Sequence, residues 1–256
     1  MLMAITHLPS PELQECELTF LQSEPIDMNK ATIQHAAYRA MLERCGAHVI
    51  ALDENLDCPD SVFVEDPIIV FDEIAVLTSM GVDSRRKESE AMAKTFAKYR
   101  TVERITLPAK IEGGDVLKIG KKIFVGESPR TNKEGIKALE AIIKPFGYSV
   151  TPIKVTGCLH LKTGCTALDE KTLLINADWV DSNAFEGFSK IDVPADEPFG
   201  ANVLKIGDIL CMNEAFPKSI ALVKSLGYKV DSSDISEFVK AEAGLTCMSV
   251  PFRWED

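Results

Sequence analysis

The sequence predicts an α/β fold in which ββαβ modules repeat and close into a five-bladed, pseudo-symmetric α/β propeller, a single domain over residues 1–256. Three observations predict it. Pairs of short apolar runs joined by tight turns recur along the chain, each pair is followed by a helical pattern and a further strand, and the first and last strands lack partners of their own. Such a hairpin-first order disfavours an ordinary doubly wound sheet, which alternates single strands with helices.

The first module opens with PIIVF and IAVLTS around Asp72-Glu73. Ser84 is expected to cap a helix over RRKESEAMAKTFAKY, and TVERITL alternates like a strand. In the second, VLKI and KIFVG turn at Gly120-Lys121, and Thr131 with Glu134 is expected to form a capping box. Ile136, Leu139, Ile142 and Phe146 then make the buried stripe of a helix that precedes YSVTPIKV. A third module starts with the runs flanking Asp169-Glu170. The fourth places NVLKI and ILCM about Gly207-Asp208, with Pro217 at the first position of a helix that stops by Gly227. MAITHL and TCMSVPFRW remain at the two ends, and pairing them as one shared blade leaves no sheet edge open.

Composition narrows the function classes. A chain of 256 residues, 46% hydrophobic, is long enough to bury a large core. Lys plus Arg number 28 against 39 Asp plus Glu, and the formal charge of −11 argues against nucleic acid and anionic membranes while favouring a small cationic partner. The opening MLMAITHLPS has neither a basic n-region nor a long apolar h-region, so a cytoplasmic address is expected. Seven cysteines at irregular spacings, with no CxxC pair and four histidines, imply no structural metal, no disulfide frame and no cofactor. They read as reduced thiols, mostly small buried hydrophobes, with at most one performing chemistry. The sequence leaves a homodimer open.

Reactive residue types cluster just before or at the first strand of successive modules: Asp60, Glu65 and Asp66, then Glu112 and Asp115, then His160, then Cys247. If the modules share an axis, these ends converge into a site with the thiol, imidazole and carboxylate that nucleophilic catalysis needs. Cys247 in AEAGLTCMS would supply a thiolate, a stronger nucleophile at neutral pH than a hydroxyl; any one cysteine taken alone is more often a packed core residue. His160 in CLHLK suits a proton shuttle, against the alternative of a buried structural histidine. Glu112 in IEGGDV stands beside two glycines that let the backbone lie close to a ligand, where a carboxylate can hold a guanidinium; a plain turn carboxylate is the alternative. Asp60, Glu65 and Asp66, around SVFVEDP, call for a cation, or else form solvated surface charge.

The motifs FVEDP, EGGD, ESPRTN, CLHLKTG and GLTCMS, at these separations, closely resemble those of bacterial dimethylarginine dimethylaminohydrolases, members of the pentein superfamily. The resemblance runs from ELTF near the amino terminus to TCMS. It implies a five-bladed pentein propeller with Cys247 as nucleophile, His160 as general acid/base and Glu112 as the carboxylate that orients the guanidinium. It also implies Asp60, Glu65 and Asp66 as substrate-side acids, Arg85 and Arg130 as the pair gripping an α-carboxylate, and Leu18 as a lid residue; forked guanidinium groups suit that grip.

The implied reaction converts a methylated arginine to citrulline and a small amine through a Cys-linked thiouronium. Arginine deiminases of the same fold carry an acid two positions after the histidine, where this chain has Lys162. A dimethylated nitrogen has no hydrogen to donate, so losing that acid favours methylated arginine over arginine. The rival readings are a deiminase, a hydroxyarginine hydrolase or an amidinotransferase, and, from another class, a non-catalytic binding protein like the ribosome anti-association factor of this fold. Zinc could bind Cys247 and His160 as an inhibitor, but no metal is required.

Overall fold

The structure, a computed structural model, describes residues 1–255. In chain order, β1 (Leu2–His7), α1 (Met28–Arg44) and β2 (His48–Leu52) come first. β3 (Ile68–Val70), β4 (Ile74–Leu77), α2 (Ser89–Phe96) and β5 (Thr101–Arg104) follow, then β6 (Val116–Ile119), β7 (Lys122–Glu127), α3 (Lys133–Ile143) and β8 (Ser149–Lys154). The next group is α4 (Leu161–Gly164), β9 (Cys165–Ala167), β10 (Thr172–Ile175) and β11 (Ser189–Asp192). β12 (Leu204–Ile206), β13 (Ile209–Asn213), α5 (Pro217–Ser225), β14 (Lys229–Ser233), α6 (Ser236–Val239) and β15 (Val250–Arg253) complete the chain.

These strands form five three-stranded sheets built alike: two antiparallel strands, with a third lying parallel to the second. The terminal strands make the fifth, β15-β1-β2, in which Leu2 lies opposite Arg253 and Ile5 opposite Val250. Repetition and end pairing are both as expected. No helix among the described residues is long and apolar enough to cross a membrane.

The chain divides into two compact units. Met1–Val64 with Val193–Asp256 holds the sheets β15-β1-β2 and β12-β13-β14, and its core joins Tyr38 and Met41 of α1 to Cys211, Phe238 and Met248. Glu65–Asp192 holds the other three sheets. There the two-residue period of a strand decides which core each side chain enters. Ile123 and Val125 of β7 pack with Ile111 and Leu139, whereas Phe124 between them turns to Leu117, Leu173 and Phe185. Both faces of β7 are therefore covered.

Several local expectations are corrected. The helix expected from Ser84 begins at Ser89, after a 3-10 turn over Arg86–Glu88, because Arg85 and Glu88 are drawn inward to pair with each other. Asn132, not Thr131, caps α3 by accepting the Gly135 N–H at 2.8 Å, while the Thr131 hydroxyl accepts the Glu112 N–H at 3.2 Å. Phe146 lies past the end of α3, in a 3-10 turn that contains Pro145, and is exposed rather than part of the buried stripe. The third module carries only a 3-10 turn, Ser182–Ala184, in place of a helix. Thr246–Met248, read as strand, coil into a 3-10 turn, and pairing starts at Val250. The long helix α1 was not anticipated.

Candidate active site

In the unit Glu65–Asp192, the peptides leading into β3, β6 and β9 bring three acids around His160. Glu112 is fully buried; its Oε2 lies 2.8 Å from His160 Nε2, and its Oε1 accepts the Gly81 N–H at 2.8 Å with Arg130 Nη1 at 3.5 Å. Asp66 Oδ1 accepts the Gly114 N–H at 3.1 Å and stands 4.0 Å from His160 Nε2. Its Oδ2 pairs with Arg85 Nη1 at 2.9 Å, while Arg85 Nε and Nη2 donate to Glu88 at 3.1 and 3.0 Å. Asp115 accepts the Ser128 hydroxyl at 2.6 Å and the Leu161 N–H at 2.9 Å, fixing the residue next to His160.

The glycines of EGGD are dictated by this crowding. A Cβ on Gly113 would lie 1.9 Å from the Glu65 carbonyl oxygen, and one on Gly114 would lie 2.5 Å from His160 Nδ1. Only a bare backbone lets the turn lie flat against the imidazole.

Electrostatics then fix the protonation of the cluster. Burial alone pushes His160 down, but the charges of Asp66 and Asp115 and the Glu112 hydrogen bond raise it to about 9. Burial likewise works to raise Asp66, yet His160 and Arg85 hold it below the usual carboxylate value. For Asp115 burial prevails and the pKa is raised. Imidazolium is thus the form this unit favours at neutral pH. Asp66, Glu112 and His160 offer donor atoms within 4.8 Å of one another, enough for a small metal ion. The carboxylates, however, already enclose a cation, the imidazolium, so the donor set suits an organic cation better than a metal. Glu65 is half-buried and takes the Lys162 ammonium at 2.5 Å.

The remaining candidates belong to the other unit. Cys247 is half-buried on the 3-10 turn Leu245–Met248, and the Gly244 N–H donates to its Sγ at 3.4 Å. The buried Tyr38 hydroxyl braces that turn, donating to the Leu245 carbonyl at 2.8 Å and lying 2.7 Å from Ser249 Oγ. Among the other thiols, burial pushes Cys158 up to about 12 and raises Cys165, Cys211 and Cys45 too, which keeps them protonated and inert. Asp60 is buried and accepts the Glu17 N–H at 3.2 Å. Leu18, half-buried, follows in a segment whose Thr19, Phe20 and Leu21 N–H groups converge on the Glu242 carboxylate at 3.0, 2.5 and 2.5 Å.

Sequence reasoning missed Glu88, Gly81, Tyr38 and Glu242. Glu88 alone carried a local signal, standing three residues after Arg85 on a helical pattern. The others act across sequence separations that no local pattern reveals.

Residues 14–186 match the family described as N,N dimethylarginine dimethylhydrolase, eukaryotic. The N(G),N(G)-dimethylarginine dimethylaminohydrolase of Pseudomonas aeruginosa is 36% identical over 88% of this chain and 90% of its own. Its counterpart in Streptomyces coelicolor is 37% identical over 98% and 96%. The chain belongs to the dimethylarginine dimethylaminohydrolase family. A solved structure of the Pseudomonas aeruginosa family member, a Cys-to-Ser variant complexed with citrulline, superposes with a TM-score of 0.93 at 34% identity, covering 97% of this chain and 98% of that one. The amino-terminal domain of a cyanobacterial arginine dihydrolase, 20% identical, shares the fold with a TM-score of 0.87 over 98% of this chain and 97% of that one.

Proposed function

We propose that this family member hydrolyses Nω-methylated arginines, taking asymmetric dimethylarginine to citrulline and dimethylamine, or monomethylarginine to citrulline and methylamine. The observation that carries the proposal is the buried Glu112–His160 contact of 2.8 Å, reinforced by Asp66 and Asp115, which is a proton-moving group set among carboxylates. A cationic substrate needs carboxylates rather than an oxyanion hole, the reverse of amide hydrolysis. The citrulline-bound relative carries the product that this reaction predicts.

In this reading residues 1–256 act as one catalytic domain, a five-bladed propeller in which Cys247 Sγ attacks the guanidinium carbon. The tetrahedral adduct collapses as His160 gives its proton to the departing dimethylamine, leaving an S-alkylthiouronium. Water adds to that carbon as His160 takes one of its protons, and expulsion of the Cys247 sulfur as thiolate, with the second water proton passing to solvent, releases citrulline. Glu112 holds the guanidinium nitrogen and the imidazolium together. Asp60, Glu65 and Asp66 serve as substrate-side acids, Leu18 as the lid residue, and Arg130 with Arg85 as the grip on the α-carboxylate, Arg85 doing so while paired to Asp66 and Glu88. A cytoplasmic location belongs to the same proposal, and sedimentation decides between monomer and homodimer.

Lys162 separates this reading from a deiminase. Its ammonium neutralises Glu65 at 2.5 Å, so this edge of the cluster offers less negative charge to a second unsubstituted NH2 group. The test is amine release by the purified protein: dimethylamine from asymmetric dimethylarginine is expected to form faster than ammonia from arginine, and Cys247→Ser is expected to abolish both. Faster turnover of arginine, or an active Cys247→Ser protein, overturns the proposal.

A further inference from the structure

Each module places polar chemistry in the peptide that leads into its first strand. Asp66 precedes β3, Glu112 and Asp115 precede β6, His160 precedes β9 and Cys247 precedes β15. The fourth module is the one to which the sequence reading assigned no such residue. Asn202 occupies that place, directly ahead of β12, and is buried at 9% exposure.

We propose that Asn202 is a positioning residue for the nucleophile, holding the 244–249 turn so that the Gly244 N–H stays aimed at the Cys247 sulfur. This rests on the reading of Cys247 as nucleophile. The first N–H groups of any helical turn have no partner within it, and an N-cap side chain is the usual remedy. The N-cap here is Gly244, which has no side chain to offer. Asn202 supplies the cap from a distance: its Oδ1 accepts the Thr246 N–H at 3.1 Å and its Nδ2 donates to Thr246 Oγ1 at 3.0 Å. Glycine at 244 is the other half of the arrangement, since a Cβ there would lie 2.4 Å from Asn202 Cγ and Oδ1.

With Thr246 held in this way, Cys247 falls at the third position of the turn, where the Glu or Gln of a capping box reaches back to the N-cap amide. The Gly244 N–H accordingly donates to sulfur at 3.4 Å. A directed N–H donor favours thiolate over thiol. Tyr38 secures the other end of the turn through the Leu245 carbonyl and Ser249. Asn202 thus acts on the sulfur through the Thr246 and Gly244 backbone rather than by touching a reacting atom.

The test is alkylation of Cys247 by iodoacetamide in the native full-length protein at pH 8, with the modified peptide identified by mass spectrometry. The thiolate displaces iodide to form a C–S bond, so the rate reports the sulfur's readiness without any guanidine present. In Asn202→Ala the rate is expected to fall about tenfold, and kcat to fall by a similar factor with KM unchanged. Thr246→Val, which removes one partner of the Asn202 amide, is expected to move both the same way, while Thr246→Ser keeps the hydroxyl and the parent rate. A role confined to stability predicts the opposite sign, because a loosened turn exposes the thiol and speeds alkylation. A folded Asn202→Ala protein alkylated at the parent rate or faster overturns the proposal; if that variant does not fold, Thr246→Val decides by the same criterion. Slowed alkylation in a protein that fails to release dimethylamine would sink the proposed substrate and leave the positioning role standing.

Discussion

His160 carries its proton to unusually high pH because buried carboxylates surround it, and this makes stability depend on pH in a definite direction. Its folded value of about 9 lies above the unfolded 6.5, so the stabilisation is fully present below pH 6.5 and is lost as pH rises through about 9. Glu112→Gln removes a charge and an acceptor from the ring. The imidazole titration followed by NMR is expected to move toward 6.5, and the stability gap between parent and variant in urea is expected to narrow between pH 6.5 and 9. An unmoved ring titration would show that Glu112 does not control it. Gly114→Ala forces a methyl to within 2.5 Å of His160 Nδ1, and overpacking of this kind costs about 1–3 kcal/mol, measurable by urea denaturation, with a larger loss of turnover than of stability. Glu112, His160 and the paired glycines were legible in the sequence because residue type, local glycine and motif spacing agree. Glu242 was not, since its three N–H partners lie more than 200 residues earlier in the chain.

At the scale of the element, helix α1 shows why the rest escaped the sequence reading. Its buried face mixes Ala31, Gln34, His35, Tyr38, Met41 and Leu42, so no clean apolar stripe announces it, yet it delivers the Tyr38 hydroxyl to the cysteine turn. The start of α1 is set by Asp27, whose carboxylate accepts the Asn29 and Lys30 N–H groups at 3.0 and 3.1 Å. Asp27→Ala is expected to cost about 1 kcal/mol, read as a lower urea midpoint with an unchanged slope. Strands were easier to read than caps. The β6-β7 turn fell where Gly120 was expected, with φ of +57°, because a turn of that shape selects its residue locally. The cap of α3 missed by one position, because Thr131 is engaged by Glu112, a partner 19 residues away.

For the whole molecule, the formal charge of −11 meets a substrate whose guanidinium and amine outweigh its carboxylate. Long-range attraction should speed encounter and should be screened by salt. The value of kcat/KM for asymmetric dimethylarginine is therefore expected to fall steadily from about 0.01 M to 0.5 M salt, where the Debye length shrinks from about 30 Å to a few ångströms. A flat or rising profile would remove steering from the account.

The recurring layout, with polar side chains in each entry peptide and apolar ones in the strands behind it, divides labour in a way that bears on how such molecules diversify. Cohesion of a repeat depends on residues like Ile123 and Phe124, whereas reactivity depends on a few positions that contribute little to the pleat. Reactive groups can then be exchanged one at a time while the framework persists. A library randomised only at positions 66, 112, 160, 202 and 247 would search new reactions with the strand cores unchanged, its members differing in stability through the buried charges and caps those positions satisfy or leave unpaired.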